Sequence, residues 1–164
     1  MKGETQKNIN QSCFFIGHRD ATETVIPLLF ETIEKHITEY GVSVFYVGHY
    51  GAFDGMVARA LVEMKKRYPH ISAHLVLAYH PAVRKIDVPA GLDGSVLWEG
   101  QEKSPPRHAI VNLNKRMVRE VDYLIAFSWK ITDGSHNLLD YAMIKEKKGR
   151  LIITNLADKL PGKI

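Results

Sequence analysis

Several residues and motifs are scarce or missing, and each absence closes off a class of protein. Cysteine occurs once, as Cys13, so an intramolecular disulfide framework and a multi-cysteine zinc site are both excluded. No apolar run approaches the length of a membrane span. The first residues, Met1 to Gln11, are polar and lack the hydrophobic centre of a signal peptide. They read as a short polar tail before a single domain at 12–164. A leaderless chain with one free thiol is expected in the cytoplasm. There is no GxGxxG dinucleotide fingerprint, no GxxxxGK phosphate loop and no HExxH metal motif. Charge is nearly balanced: 22 Lys plus Arg against 18 Asp plus Glu leave a net +4. That suits an anionic ligand and falls short of the dense basic stripe of a duplex-DNA binder.

What is present fits one globular domain. The 164 residues are 45% hydrophobic and 24% charged, enough apolar material for a core. Apolar runs alternate with helical patterns. Strands are expected at 12–16, 43–47, 72–79, 122–127 and 150–154, and helices at 22–40, 54–67, 105–120 and 135–148. Pro27 suits its helix only in a first turn. Ser104-Pro105 has the form of an N-cap followed by proline. Residues 80–104 carry Pro81, Pro89, Gly91, Gly94 and Gly100, with room for one short strand at 95–98. Such a segment is either a functional loop or an ordered surface excursion. The alternation predicts an α/β fold, a single Rossmann-like, doubly wound parallel sheet of about five strands, ordered 3-2-1-4-5, with helices on both faces. Ligands of such sheets bind beyond the carboxyl ends of the strands, where the winding reverses.

Chemically distinctive residues fall at those ends. Gly17-His18-Arg19 follows the first strand. Glycine allows close approach, and arginine offers a fork to phosphate or carboxylate; the plainer alternative is a turn glycine and a solvated arginine. After the second strand come Gly48, Tyr50, Gly51, Phe53 and Asp54, a glycine-rich turn whose N–H groups could hold phosphate. Asp54 either caps its helix or acts on a ligand, as a ribose partner or an acid/base group. Gly134-Ser135 opens the last helix and is either a second anion site or an ordinary cap, with Asp133 just before it. In the 105–120 helix, Arg107, Val111, Asn114, Val118 and Val121 are spaced 4, 3, 4 and 3. That puts them on one face, where Asn114 needs a partner and Arg107 could reach the crevice. His18, His49 and His80 each follow a strand, but no ligand spacing completes a metal site, and none is expected. Cys13 reads as an inert core residue.

Taken in order, Phe15-Ile16-Gly17-His18-Arg19, Tyr46-Val47-Gly48, Gly51-x-Phe53-Asp54, Asn114-x-x-Met117-Val118, Asp122-x-Leu124-Ile125-Ala126 and Tyr141-Ala142 resemble the YpsA-like proteins of the SLOG superfamily. The likeness spans about residues 12–156. The superfamily includes the Lonely Guy phosphoribohydrolases and the Rossmann domain of DNA-processing protein A. The resemblance implies a Rossmann-like fold, a nucleotide-type ligand at the glycine motifs, ADP-ribose or NAD among the possibilities, and often a homodimer. The chain also departs from the pattern. Leu113 stands where the family has arginine, and Asp133-Gly134-Ser135 where it often has Gly-Gly-Thr. The phosphoribohydrolase motif PGGxGTxxE, with its catalytic glutamate, has no counterpart, since Leu138 stands three after Ser135.

Three functions are consistent with these residues. The first is binding or sensing of a nucleotide-derived anion at Gly17, His18, Arg19, Gly48, Tyr50, Gly51, Phe53, Asp54, Arg107, Asn114, Gly134 and Ser135. The second is a nucleotide hydrolase or phosphoribohydrolase using Asp54 or Asp133 as its carboxylate. The third is single-stranded nucleic-acid binding, with Tyr50, Phe53 and Trp129 stacking bases.

Overall fold

A computed structural model describes residues 11–128 and 134–160, with the backbone alone at 134–136. Its centre is a six-stranded, all-parallel sheet. The strands are β1 (Gln11–Gly17), β2 (Val42–Val47), β3 (Ser72–Val76), β4 (Ser95–Val96), β5 (Tyr123–Phe127) and β6 (Ile152–Asn155). Their order is β4-β3-β2-β1-β5-β6. The five strands expected from the sequence keep their expected neighbours, and the two-residue β4 adds an edge beside β3. Four helices cover the faces: α1 (Ile26–Thr38), α2 (Ala52–Arg67), α3 (Ala109–Glu120) and α4 (Gly134–Lys147).

Alternation along the buried strands assigns each face its layer. Cys13 and Phe15 of β1 join Phe45, Leu75 and Ile125 under α1 and α2. Phe14 and Ile16 point the other way, with Leu124 and Ala126, under α3 and α4. Burial pushes the Cys13 thiol well above its ordinary range, so it stays protonated within the core.

The helices start where local chemistry allows. Residues 23–25 form a 3-10 turn and α1 begins at Ile26, which puts Pro27 in the first turn. Helix α3 begins at Ala109, later than expected, after a 3-10 turn at Pro106–His108. Ser104 does not cap it; its hydroxyl accepts from the Asn112 amide at 3.2 Å. The buried positions of α3 are Ala109, Leu113, Met117 and Val118. The stripe expected from Arg107 to Val121 holds at its end, where Val118 and Val121 are buried, and fails at its start, where Arg107 precedes the helix and Val111 is 52% exposed.

From β3 to β4 the chain crosses without a helix. Ile86, Val88 and Leu92 pack on the α1/α2 core instead. Asp93 anchors the return: its carboxylate takes Lys65 Nζ at 2.6 Å and the Ala73 N–H at 2.8 Å. The 80–94 segment is thus an ordered wall of the domain. Among the described residues, no helix is long and apolar enough to cross a membrane.

Candidate functional site

Strands β1 and β5 are adjacent, yet the crossovers that leave them run to opposite faces of the sheet, so their carboxyl ends border the switch point. The turns that follow β1 and its other neighbour, β2, are fastened together. The Ala52 N–H donates to the Arg19 carbonyl at 2.9 Å. Gly51 has φ +147°, and a β-carbon on it would lie 2.8 Å from Cα of Arg19. Only glycine takes that position without strain.

Asp54, in the first turn of α2, folds back on the same turn. Its Oδ2 accepts the Tyr50 N–H at 3.0 Å. Gly48 makes room for it, since a β-carbon there would lie 2.9 Å from that oxygen. Tyr50 is also held at its far end, where the hydroxyl accepts the Ala78 N–H at 3.4 Å. Two N–H groups that a phosphate would need at this turn, those of Tyr50 and Ala52, are therefore already committed within the protein.

Beside the turn lies a cleft of about 220 Å³. Gly17, Arg19, Tyr50 and Asp54 form one side, Ile110, Val111 and Asn114 of α3 another, and Leu138 of α4 closes it. Arg19 is exposed and makes no ion pair among the described residues. Asn114 is half-buried, and its carboxamide has no protein partner among the described residues. Burial pushes the Asp54 carboxyl up to about 6, against the opposing pull of the Tyr50 N–H and the Arg19 guanidinium. The cleft thus combines an unpaired cation, a carboxyl that changes protonation just below neutrality, and a free carboxamide. Those groups can fix an anion, exchange a proton and hold a polar edge.

Of the residues singled out from the sequence, Gly17, Arg19, Tyr50, Asp54 and Asn114 meet at this cleft. Others do not line it. His18 is fully buried, edge-on to Phe127 with ring centroids 6.0 Å apart. Phe53 is buried between Gly17 and Phe127. Gly48 and Gly51 shape the turn behind the cleft. Arg107 is exposed on the Pro106–His108 turn, away from the cleft lining. Gly134 opens α4, one turn before Leu138. Asp133 and Trp129 lie outside the described residues, as does the Ser135 side chain.

The three histidines that follow strands are put to separate uses. His49 packs against the Tyr50 ring at 3.9 Å, its buried Nε2 has no partner among the described residues, and burial lowers its pKa. His80 is exposed, and its Nδ1 accepts the Ala82 N–H at 3.0 Å. Among the described residues, no three His, Cys, Asp or Glu side chains gather as a metal site would require.

Sequence reasoning passed over Gln101. This buried amide donates to the carbonyls of Ala78, at 3.1 Å, and Ala109, at 2.9 Å. It ties the end of β3 to the start of α3, the helix that walls the cleft. Nothing local marks it, because it sits in a polar stretch and its partners are distant in sequence. In comparisons with known proteins, no family model and no curated sequence matches the chain.

Proposed function

We propose that the cleft binds the anionic, phosphate-bearing part of a nucleotide-derived small molecule, and that the protein is a binder or sensor of that molecule. The observation that carries this reading is Arg19, a guanidinium without an ion pair among the described residues, lining a cleft at the point where the sheet's winding reverses. Helix α4 adjoins the same space through Leu138, one turn from its start, and helix N-termini attract anions. The likeness to YpsA-like SLOG proteins supports the same ligand class, in a cytoplasmic protein acting as a homodimer. Light scattering tests the dimer. The ligand is tested by thermal denaturation against a panel of nucleotides, ADP-ribose and NAD. One of them should raise the Tm, since a ligand of the folded state alone stabilises it. No shift from any at millimolar concentration would exclude the reading.

A second reading is favoured by Asp54. A carboxyl pushed up to about 6 in a cleft is suited to acid/base chemistry near neutral pH. On this reading the protein is a nucleotide hydrolase, with Asp54 working at the glycosidic bond. Incubation with nucleoside monophosphates should then release free base, and Asp54→Asn should abolish the release. Intact substrate after prolonged incubation would leave the binding reading alone. Nucleic-acid stacking has less support, because Phe53 is buried and Tyr50 is held by Ala78.

A further inference from the structure

A second hollow adjoins the cleft, between α3 and α4. It encloses about 310 Å³ and is lined by Val111, Asn114, Lys115, Asn137, Leu138 and Tyr141. Val111, Asn114 and Leu138 line the cleft as well, so the two spaces share a wall. Size matters here. Small-molecule sites span roughly 300–1,000 Å³, and the cleft alone, at about 220 Å³, falls below that range. With the hollow included, the site falls within it.

The two spaces differ in chemistry. The cleft holds Arg19 and the Asp54 carboxyl. The hollow has no carboxylate among its lining residues; it has two carboxamides, an aromatic ring and two branched apolar side chains. Neither Asn114 nor Asn137 has a side-chain partner among the described residues. Each therefore keeps one acceptor and two donor positions free. The Tyr141 ring is held from two directions. Lys115 Nζ lies 5.7 Å from its centroid, and Arg119 Nη1 donates to its hydroxyl at 3.3 Å. Lys115, the one cation in that lining, is thus placed over the ring, which makes the hollow a poor seat for a second phosphate.

A fixed ring, apolar walls and amide edges suit a planar heterocycle with donors and acceptors in its plane. The ring and walls contact its faces, and carboxamides read its edge. We infer that the α3/α4 hollow is a nucleobase subsite, with Asn137 and Tyr141 as its specificity-determining residues. The inference rests on the cleft being a nucleotide phosphate site. The phosphoribosyl part lies in the cleft beside Arg19, and the base passes over Val111, whose 52% exposure it covers.

The test compares ribose 5-phosphate with AMP, GMP, CMP and UMP by titration calorimetry. At least one nucleotide should bind about tenfold or more tightly than ribose 5-phosphate, the scale of one good amide–base pairing. Asn137→Ala and Tyr141→Leu should each remove most of that advantage and leave ribose 5-phosphate affinity unchanged. Asn137 is exposed and makes no side-chain hydrogen bond among the described residues, so its variant should keep the Tm of the parent. Equal binding of ribose 5-phosphate and all four nucleotides would overturn the base subsite and leave the phosphate site standing. So would a substitution that weakens every ligand alike. Binding of none of the five at millimolar concentration would overturn the phosphate site and the base subsite with it.

Discussion

Gly17 and Phe53 occupy one space: a β-carbon on Gly17 would lie 2.3 Å from Cδ2 of the Phe53 ring. The glycine that ends β1 therefore answers first to packing between β1 and α2. Gly17→Ala should cost about 1–3 kcal/mol, as overpacking does, and lower the Tm by roughly 2–10 °C. Combined with Phe53→Leu it should cost less than the two single changes together, because the smaller side chain relieves the clash. Thermal denaturation of the four proteins checks this, and strict additivity would show that the two residues do not compete for the space.

Asp54 makes the fold sensitive to pH in a stated direction. Its folded pKa of about 6 lies above the ordinary 3.8, so the folded state binds the proton more tightly than the unfolded chain. Stability from this group is full below about pH 4 and declines as pH rises through 6. The difference amounts to on the order of 2–3 kcal/mol, reduced by whatever solvent reaches the carboxyl. Asp54→Asn keeps an oxygen to accept the Tyr50 N–H and removes the titration. Relative to the parent, that variant should be more stable at pH 7 than it is at pH 4. Urea unfolding of both proteins at both pH values decides the matter. Burial lowers the pKa of His36 and His49, which weakens the fold as pH falls through 6.5; that contribution is common to both proteins and cancels. A variant-to-parent difference independent of pH would remove Asp54 as the source.

Gln101 is the hidden brace behind the cleft. Gln101→Leu keeps most of the volume but withdraws the donor from the Ala78 and Ala109 carbonyls. A loss of about 2–3 kcal/mol is expected, the scale of buried acceptors left short of a donor. A change below about 0.5 kcal/mol in urea unfolding would mean that water or a rearranged chain serves them instead.

Arg19 separates binding from folding. Its side chain is exposed without an ion pair among the described residues, so Arg19→Ala should leave the Tm within about 1 °C of the parent. Affinity for a nucleoside monophosphate should fall about tenfold or more, and its dependence on salt should weaken. Calorimetry at two ionic strengths measures both. Unchanged affinity would exclude Arg19 as the phosphate ligand.

The sheet was readable because each central strand is a short apolar run closed by glycine or a turn: Phe14-Phe15-Ile16 before Gly17, and Val44-Phe45-Tyr46-Val47 before Gly48. Helix α3 matches its expected stripe only in part. The spacing from Arg107 to Val121 is periodic and Val118 is buried, but Ala109, Leu113 and Met117 carry the rest of the buried face. Amphipathic patterns that differ by one position cannot be separated without knowing the neighbouring layer. At the site, Arg19, Asp54 and Asn114 were visible as polar residues at strand and helix ends. Their neighbours Ile110, Val111 and Leu138 were not, because apolar side chains beside a cleft look like any others in a sequence. The glycines have a second duty that their sequence context does not display: Gly17 and Gly48 each make room for a side chain of α2.

The central position of β1 has a consequence during synthesis. It pairs with β2 on one side and with β5 on the other, where Cys13 faces Tyr123. A nascent chain therefore completes β1 before either neighbour and keeps one edge of it bare until residues 123–127 emerge. Until then the chain carries an open strand edge bearing Phe14, Phe15 and Ile16. That is the interval in which aggregation with neighbouring chains competes most strongly with folding.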